Sequence, residues 1–326
     1  MEGIITMSIL CSEITAKTSL MQFKSAKGFS ALGQFGILML FFGLGMMLAS
    51  ILQWVMIMPL LPENTDMAAF PEALQQAMKN PDLVNTFRWL QFLSTACIFL
   101  LPAIAFALVC KSEPINSLGF NRHLSIFQIM IAFLIMFTAN LLADPLQNIS
   151  KQFTARLPAL QQMADSLEKA YEDQVLMLSA MHTPWEWILA LVIMALLPAV
   201  FEEVFFRGAL QNVLIEWWKR PILAILATSI IFSLIHSSVY LFLSRALLGF
   251  VLGWIYERTR NLWINIIAHF LNNALALGMM YAASKSSKAP SLQDTEFKVD
   301  TWLAIIAAFA LVGLFKLLDK YTRLLR

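Results

Sequence analysis

Apolar residues run along most of this chain without polar interruption, for longer than a globular core requires. A membrane-crossing helix takes ~20 mostly apolar residues. Eight stretches reach or approach that length: about 34–60, 89–110, 125–143, 185–202, 222–239, 241–256, 262–282 and 301–318. Two segments between them change character. In 146–183, Leu160, Met163, Leu167, Ala170 and Tyr171 recur at helical spacing with Asp165, Glu168, Lys169 and Glu172 among them, the pattern of an amphipathic surface helix. Residues 63–88 suggest a second, shorter one after Pro71. These helices would cap the outer face or merely connect the spans. The expected fold is therefore an all-α polytopic membrane protein of about eight transmembrane helices, with a leader at 1–33 and a helical membrane domain at 34–326.

Composition agrees. The chain is 59% hydrophobic and 13% charged, with mean hydropathy +0.69, far from a soluble domain. The lipid bilayer is thus a partner. A net charge of +2 from scattered Lys and Arg gives no reason to expect nucleic acid. Cys11, Cys97 and Cys110 have neither disulfide nor zinc-site spacing. The opening MEGIITMSILCSEITAK has no basic region ahead of its apolar run, so it reads as a cytosolic leader rather than a cleaved signal. Eight spans put both termini on one side. Placing them in the cytosol puts 14 of 23 Lys and Arg and 8 of 21 Asp and Glu inside, a net of +6 against −4 outside. The positive-inside rule favours that orientation.

Ionisable groups within spans are costly and mark function by default. Three clusters stand out. In FEEVFFRG, Glu203 and Arg207 are four residues apart and face each other on a helix, whereas Glu202 points ~100° away with no partner in the motif. In FSLIH, Phe232 lies one turn below His236, in the middle of the fifth stretch. In HFLNN, His269 and Asn273 share a face while Asn272 points elsewhere.

This inventory suits hydrolysis in two ways. A Glu and a His converging on one water act as general base while a His and an Asn donate to an oxyanion. Alternatively, Glu202, His236 and His269 hold one divalent metal such as zinc. No GxSxG elbow supports a serine nucleophile, and HExxH is absent. Taken singly, His236 or Asn273 is at least as readily a hydrogen-bond partner between helices. On straight helices the depths of Glu202, His236 and His269 do not coincide. Continuation of the fourth helix through RGALQNVLIEWW to Trp218 would make ~50 Å of helix that must tilt or bend.

In that order, on the fourth, fifth and seventh apolar segments, EEVFFRG, FSLIH and HFLNN resemble the EExxxR, FxxxH and HxxxN motifs of the type II CAAX prenyl endopeptidase and bacteriocin-processing (CPBP, Abi) family of intramembrane proteases. The resemblance covers about 185–282. It implies a helical membrane fold with a buried polar catalytic cavity, and a peptide or membrane-protein substrate. Glu202 and His236 would activate water, His269 and Asn273 would form the oxyanion hole, and Glu203, Arg207 and Phe232 would support them. It leaves metal dependence open, and prenylation of the substrate likewise. Two other classes remain beside it: a non-catalytic immunity or scaffold protein with a structural polar cluster, and a transporter, for which repeats and broken helices are lacking.

Overall fold

The computed structural model describes residues 28–63, 65–66, 68–121, 124–181, 183–284 and 299–324. Residues 1–27 of the expected leader, Cys11 among them, and nearly all of the SKSSKAPS linker lie outside these. Among the described residues the chain folds entirely as helices and connections, with no strand.

In chain order the helices are α1 Ala31–Leu60, α2 Phe70–Met78, α3 Pro81–Cys110, α4 Ile126–Asn140, α5 Ala143–Thr154, α6 Pro158–Leu178, α7 Pro184–Trp218, α8 Pro221–Ile235, α9 Phe242–Thr259, α10 Leu262–Ser284 and α11 Thr301–Leu324. A single turn at Pro114–Ser117 precedes α4. Local chemistry sets many of the ends. The Ser30 hydroxyl accepts the Gly33 N–H at 3.1 Å to start α1, and Ser125 caps α4 in the same way. Pro158, Pro184 and Pro221 open α6, α7 and α8, where a missing N–H costs nothing. Thr183 and Glu186 add a reciprocal capping box to α7. Lys219 and Arg260 terminate α7 and α9 in the left-handed conformation, at φ 56° and 51°.

Six helical runs are long and apolar enough to cross a membrane: α1, α3, the continuous run Ile126–Thr154 formed by α4 and α5, α7, α10 and α11. The fifth and sixth apolar stretches are helical too, but differ in kind. α8 has 15 residues, ~22 Å at 1.5 Å per residue, short of a ~30 Å hydrocarbon core. α9 has 18 residues and carries Arg245, Glu257 and Arg258. The two form a tight hairpin: a Cβ added to Gly249 would lie 3.2 Å from the Ser229 Cα and 3.3 Å from the Phe232 ring. α7 continues to Trp218 over 35 residues, as RGALQNVLIEWW suggests. It contains π-helical turns at Leu191–Leu196 and Val204–Gln211, the second directly after the paired carboxylates.

One core gathers Phe99 and Phe106 of α3, Phe205, Phe206 and Leu210 of α7, Phe232 of α8 and Tyr256 of α9. A second joins Ile135 and Met136 of α4 to Leu252 and Ile255 of α9, Ile264 and Ala268 of α10 and Leu318 of α11. α9 and α10 belong to both, so α10, which carries the third motif, lies where the two cores meet. Large apolar side chains such as Leu40, Leu44 and Met47 of α1 or Phe309 of α11 stay exposed, the faces such a fold turns to lipid.

The segment expected as surface helix, 146–183, comprises the end of α5 and all of α6, and it is docked rather than free. Glu168 accepts from the Ser238 hydroxyl at 2.5 Å, Asp165 from the Tyr240 phenol, and the Arg245 guanidinium lies 4.4 Å from the centre of the Tyr171 ring. The bond to Asp165 holds the Tyr240 phenol above its ordinary range. α6 thereby packs against the connection 236–241 between α8 and α9.

Candidate active site

Glu202 and Glu203 end an α-helical stretch of α7, and Arg207 follows within the π turn. All three are buried, Glu203 completely. As the four-residue spacing predicts, Arg207 Nη1 donates to Glu203 Oε1 at 2.7 Å; its Nη2 donates to the Gly249 carbonyl at 2.9 Å. π turns leave carbonyls off the regular ladder and concentrate at functional positions. Here Asn212 Nδ2 collects those of Arg207 and Gly208, at 2.9 and 3.1 Å, and also reaches the Tyr256 hydroxyl at 2.7 Å.

Glu203 does more than neutralise Arg207. Its Oε1 also meets His269 Nδ1 at 2.8 Å, and its Oε2 accepts from Asn265 Nδ2 at 3.2 Å. Because the carboxylate is already paired with a guanidinium, the imidazole is the donor. The Nδ1 proton is therefore held by Glu203, and the ring orientation with it. The other nitrogen, Nε2, lies 3.9 Å from Glu202 Oε2. That is beyond a direct hydrogen bond and within the span of one bridging water.

His236 stands at the C-terminal end of α8, not in the middle of a span as the apolar run suggested. The helix stops at Ile235, and Ser237 takes a left-handed φ of 54°. A turn this sharp is held by neighbours the apolar pattern does not show: Arg245 Nη1 donates to the His236 carbonyl at 3.3 Å. His236 Nδ1 lies 2.6 Å from the Phe232 carbonyl. A carbonyl only accepts, so the proton sits on Nδ1 and Nε2 keeps the lone pair. The one-turn stacking expected of Phe232 is present, with ring centres 4.7 Å apart. The same phenyl ring stands edge-on to His269 at 6.2 Å and carries the Arg207 guanidinium at 5.1 Å. Phe232 is thus the hinge of the cluster, touching both imidazoles.

Glu202, Glu203, Arg207, Phe232, His236 and His269, from three helices, are accordingly contiguous. Asn273 follows one turn beyond His269 on α10, its Oδ1 accepting from Asn272 Nδ2 at 3.5 Å. Asn272 itself bonds to Asn140 of α4, which makes it a link between helices. α8 ends at the site and α7 runs past it.

Two residues escaped the sequence reading. Asn265 lies four residues before His269, so the stripe 265, 269, 273 was visible as a pattern, but its partner Glu203 was not. Arg245 lies inside the sixth apolar stretch, and its bond to the His236 carbonyl crosses between helices.

The zinc alternative requires three ligands around one point. Among the described residues no three His, Cys, Asp or Glu side chains are so grouped. The set Glu202, His236, His269 does not form a metal centre, and no step below passes through one.

Comparison with known proteins points to the same stretch. Residues 184–275 match the family described as type II CAAX prenyl endopeptidase Rce1-like. Over 91 residues the chain is 28% identical to "Putative membrane peptidase YdiL" of Bacillus subtilis (strain 168), covering 28% of this chain and 37% of that protein. Over 89 residues it is 34% identical to the uncharacterized protein YpbD of the same organism, covering 26% and 42%. The matches thus span about two fifths of each curated relative's length. No solved structure matches the chain. The three motifs and the family match coincide: over residues 184–275 this membrane protein is similar to the family described as type II CAAX prenyl endopeptidase Rce1-like.

Proposed function

We propose that the chain is an intramembrane endopeptidase acting on a membrane-associated peptide or protein. Glu202 and Nε2 of His236 activate a water, and its oxygen attacks the scissile carbonyl carbon. His269, through Nε2 in its doubly protonated form, and the amide of Asn273 donate to the oxyanion. When the C–N bond breaks, the proton taken from water passes to the leaving amine. The observation that carries this reading is the orientation of His269: Glu203 grips one nitrogen, and the other faces Glu202 across 3.9 Å. Both termini are proposed to face the cytosol, on the charge asymmetry of the loops.

Glu202→Gln keeps the shape and removes the base. Turnover of a peptide substrate by the purified variant should fall to background while its thermal transition in detergent stays near that of the unsubstituted protein. Cleavage at the original rate would remove Glu202 from the mechanism. A cluster that only holds helices together, as in an immunity or scaffold protein, would instead show lowered thermal stability on substitution of His236 or His269, with no activity to lose.

A further inference from the structure

Behind the turn that carries His236 lies a cavity of about 700 Å³, walled by α5, α6 and the α8–α9 hairpin. Ile149, Phe153, Leu160, Leu167, Val239 and Leu243 supply its apolar surface. Of its five hydroxyls, all but that of Ser237 are spent within the protein. Ser150 and Thr154 donate to the carbonyls of Leu146 and Ser150 at 3.2 and 3.1 Å, Ser233 to that of Phe242 at 2.7 Å, and Ser238 to Glu168 at 2.5 Å. Little is left to orient a polar ligand, so the occupant this chamber selects is hydrocarbon. Its size is that of a small-molecule site, ~300–1,000 Å³.

The position says which hydrocarbon. On α8, Phe232 and His236 share one face, whereas Ser233 is turned ~100° and Leu234 ~200° from Phe232. The cavity therefore backs the helix side away from Glu202 and His269, where a peptide held for cleavage would not lie. Its mouth is on α5, where Ile149 and Phe153 are more than half exposed one turn apart. α5 continues the membrane-length run Ile126–Thr154. The mouth thus adjoins a run long and apolar enough to cross a membrane.

We propose that this cavity is a lipid site, in which one acyl chain of a bilayer phospholipid packs against the 236–241 turn. The chain fills the space behind a turn whose Ser237 is left-handed, and so supports the backbone on which His236 stands. The site stands apart from the proposed proteolysis.

The test is photolabelling of the full-length protein in phosphatidylcholine liposomes containing a tracer with a diazirine on its acyl chain, followed by peptide mapping. Label should concentrate on residues 149–167 and 233–243, above the level on the lipid-facing side of α1 at Leu40, Leu44 and Met47. Leu167→Trp and Leu243→Trp, which fill the cavity from opposite walls, should each lower that label several-fold and leave α1 unchanged, which also reports folding. The same result is expected in a Glu202→Gln background, so a failed protease reading would not disturb it. Cavity label no denser than that on α1, or insensitive to both variants, overturns the proposal. So does its displacement by excess apolar peptide with α1 label retained, because the occupant would then be peptide.

Discussion

At the scale of the residue, Glu203 organises the site. From the motif alone it pairs with Arg207 and leaves Glu202 over; in the folded chain it also holds His269 and Asn265. Removing one member of a buried pair leaves a desolvated charge without compensation, typically costing ~3–5 kcal/mol. Arg207→Ala should therefore destabilise the protein by about that much in a denaturation series. Arg207→Lys should recover little, since one ammonium does not reproduce the fork that spans Glu203 and the Gly249 carbonyl. Asn273→Ala should behave differently. Loss of one oxyanion donor lowers kcat by ~10²–10³, with KM and the thermal transition little changed, as steady-state kinetics on a peptide would show. Identity and spacing made Glu203–Arg207 and Phe232–His236 readable, because both lie within one helix. The contacts of Glu203 with His269 and Asn265 cross from α7 to α10, more than 60 residues apart, and no local pattern encodes them.

At the scale of the element, α8 was the least legible. An apolar run continuing past His236 reads as more helix, and periodicity has no term for a sharp turn that depends on Arg245, Ser238 and Glu168 from neighbouring segments. Once the turn is recognised, the short helix has a use, since it presents His236 at its end. The α8–α9 contact is equally tight. At Gly249 a methyl would press on both the Ser229 backbone and the Phe232 ring, at 3.2 and 3.3 Å. Gly249→Ala should shift Phe232 and with it the rings it touches. A fall in turnover larger than the fall in melting temperature is the expected sign; unchanged kinetics would mean the hairpin relaxes away from the site. The amphipathic pattern of 146–183 correctly indicated surface helix, but its docking onto the 236–245 region appears only through Glu168, Asp165 and Tyr171.

At the scale of the whole molecule, eight apolar stretches become eight helical regions, six of which, among the described residues, are long and apolar enough to cross. The match to the Rce1-like family covers α7 to most of α10, while α1 and α3 supply Leu38, Phe99 and Phe106 to the core around it. Orientation is a matter of charge. With the excess of Lys and Arg assigned to the cytosol, a fluorescent reporter fused to the C-terminus should light up and a periplasmic phosphatase reporter should stay inactive. The reverse pattern would invert the proposed topology.

What the sequence determined by itself is what depends on neighbours along the chain: the helical class, the length of each apolar run, the i, i+4 pairs in EEVFFRG, FSLIH and HFLNN, and the family to which those motifs point. Tertiary structure decided what depends on separate helices meeting. It set where α8 stops, which imidazole Glu203 holds, that one phenyl ring serves both histidines, and that α5 and α6 close over the turn. Apolar periodicity is enforced by the bilayer and written residue by residue. A buried carboxylate takes whichever donors the packed helices bring within hydrogen-bond distance, and that is a property of the fold.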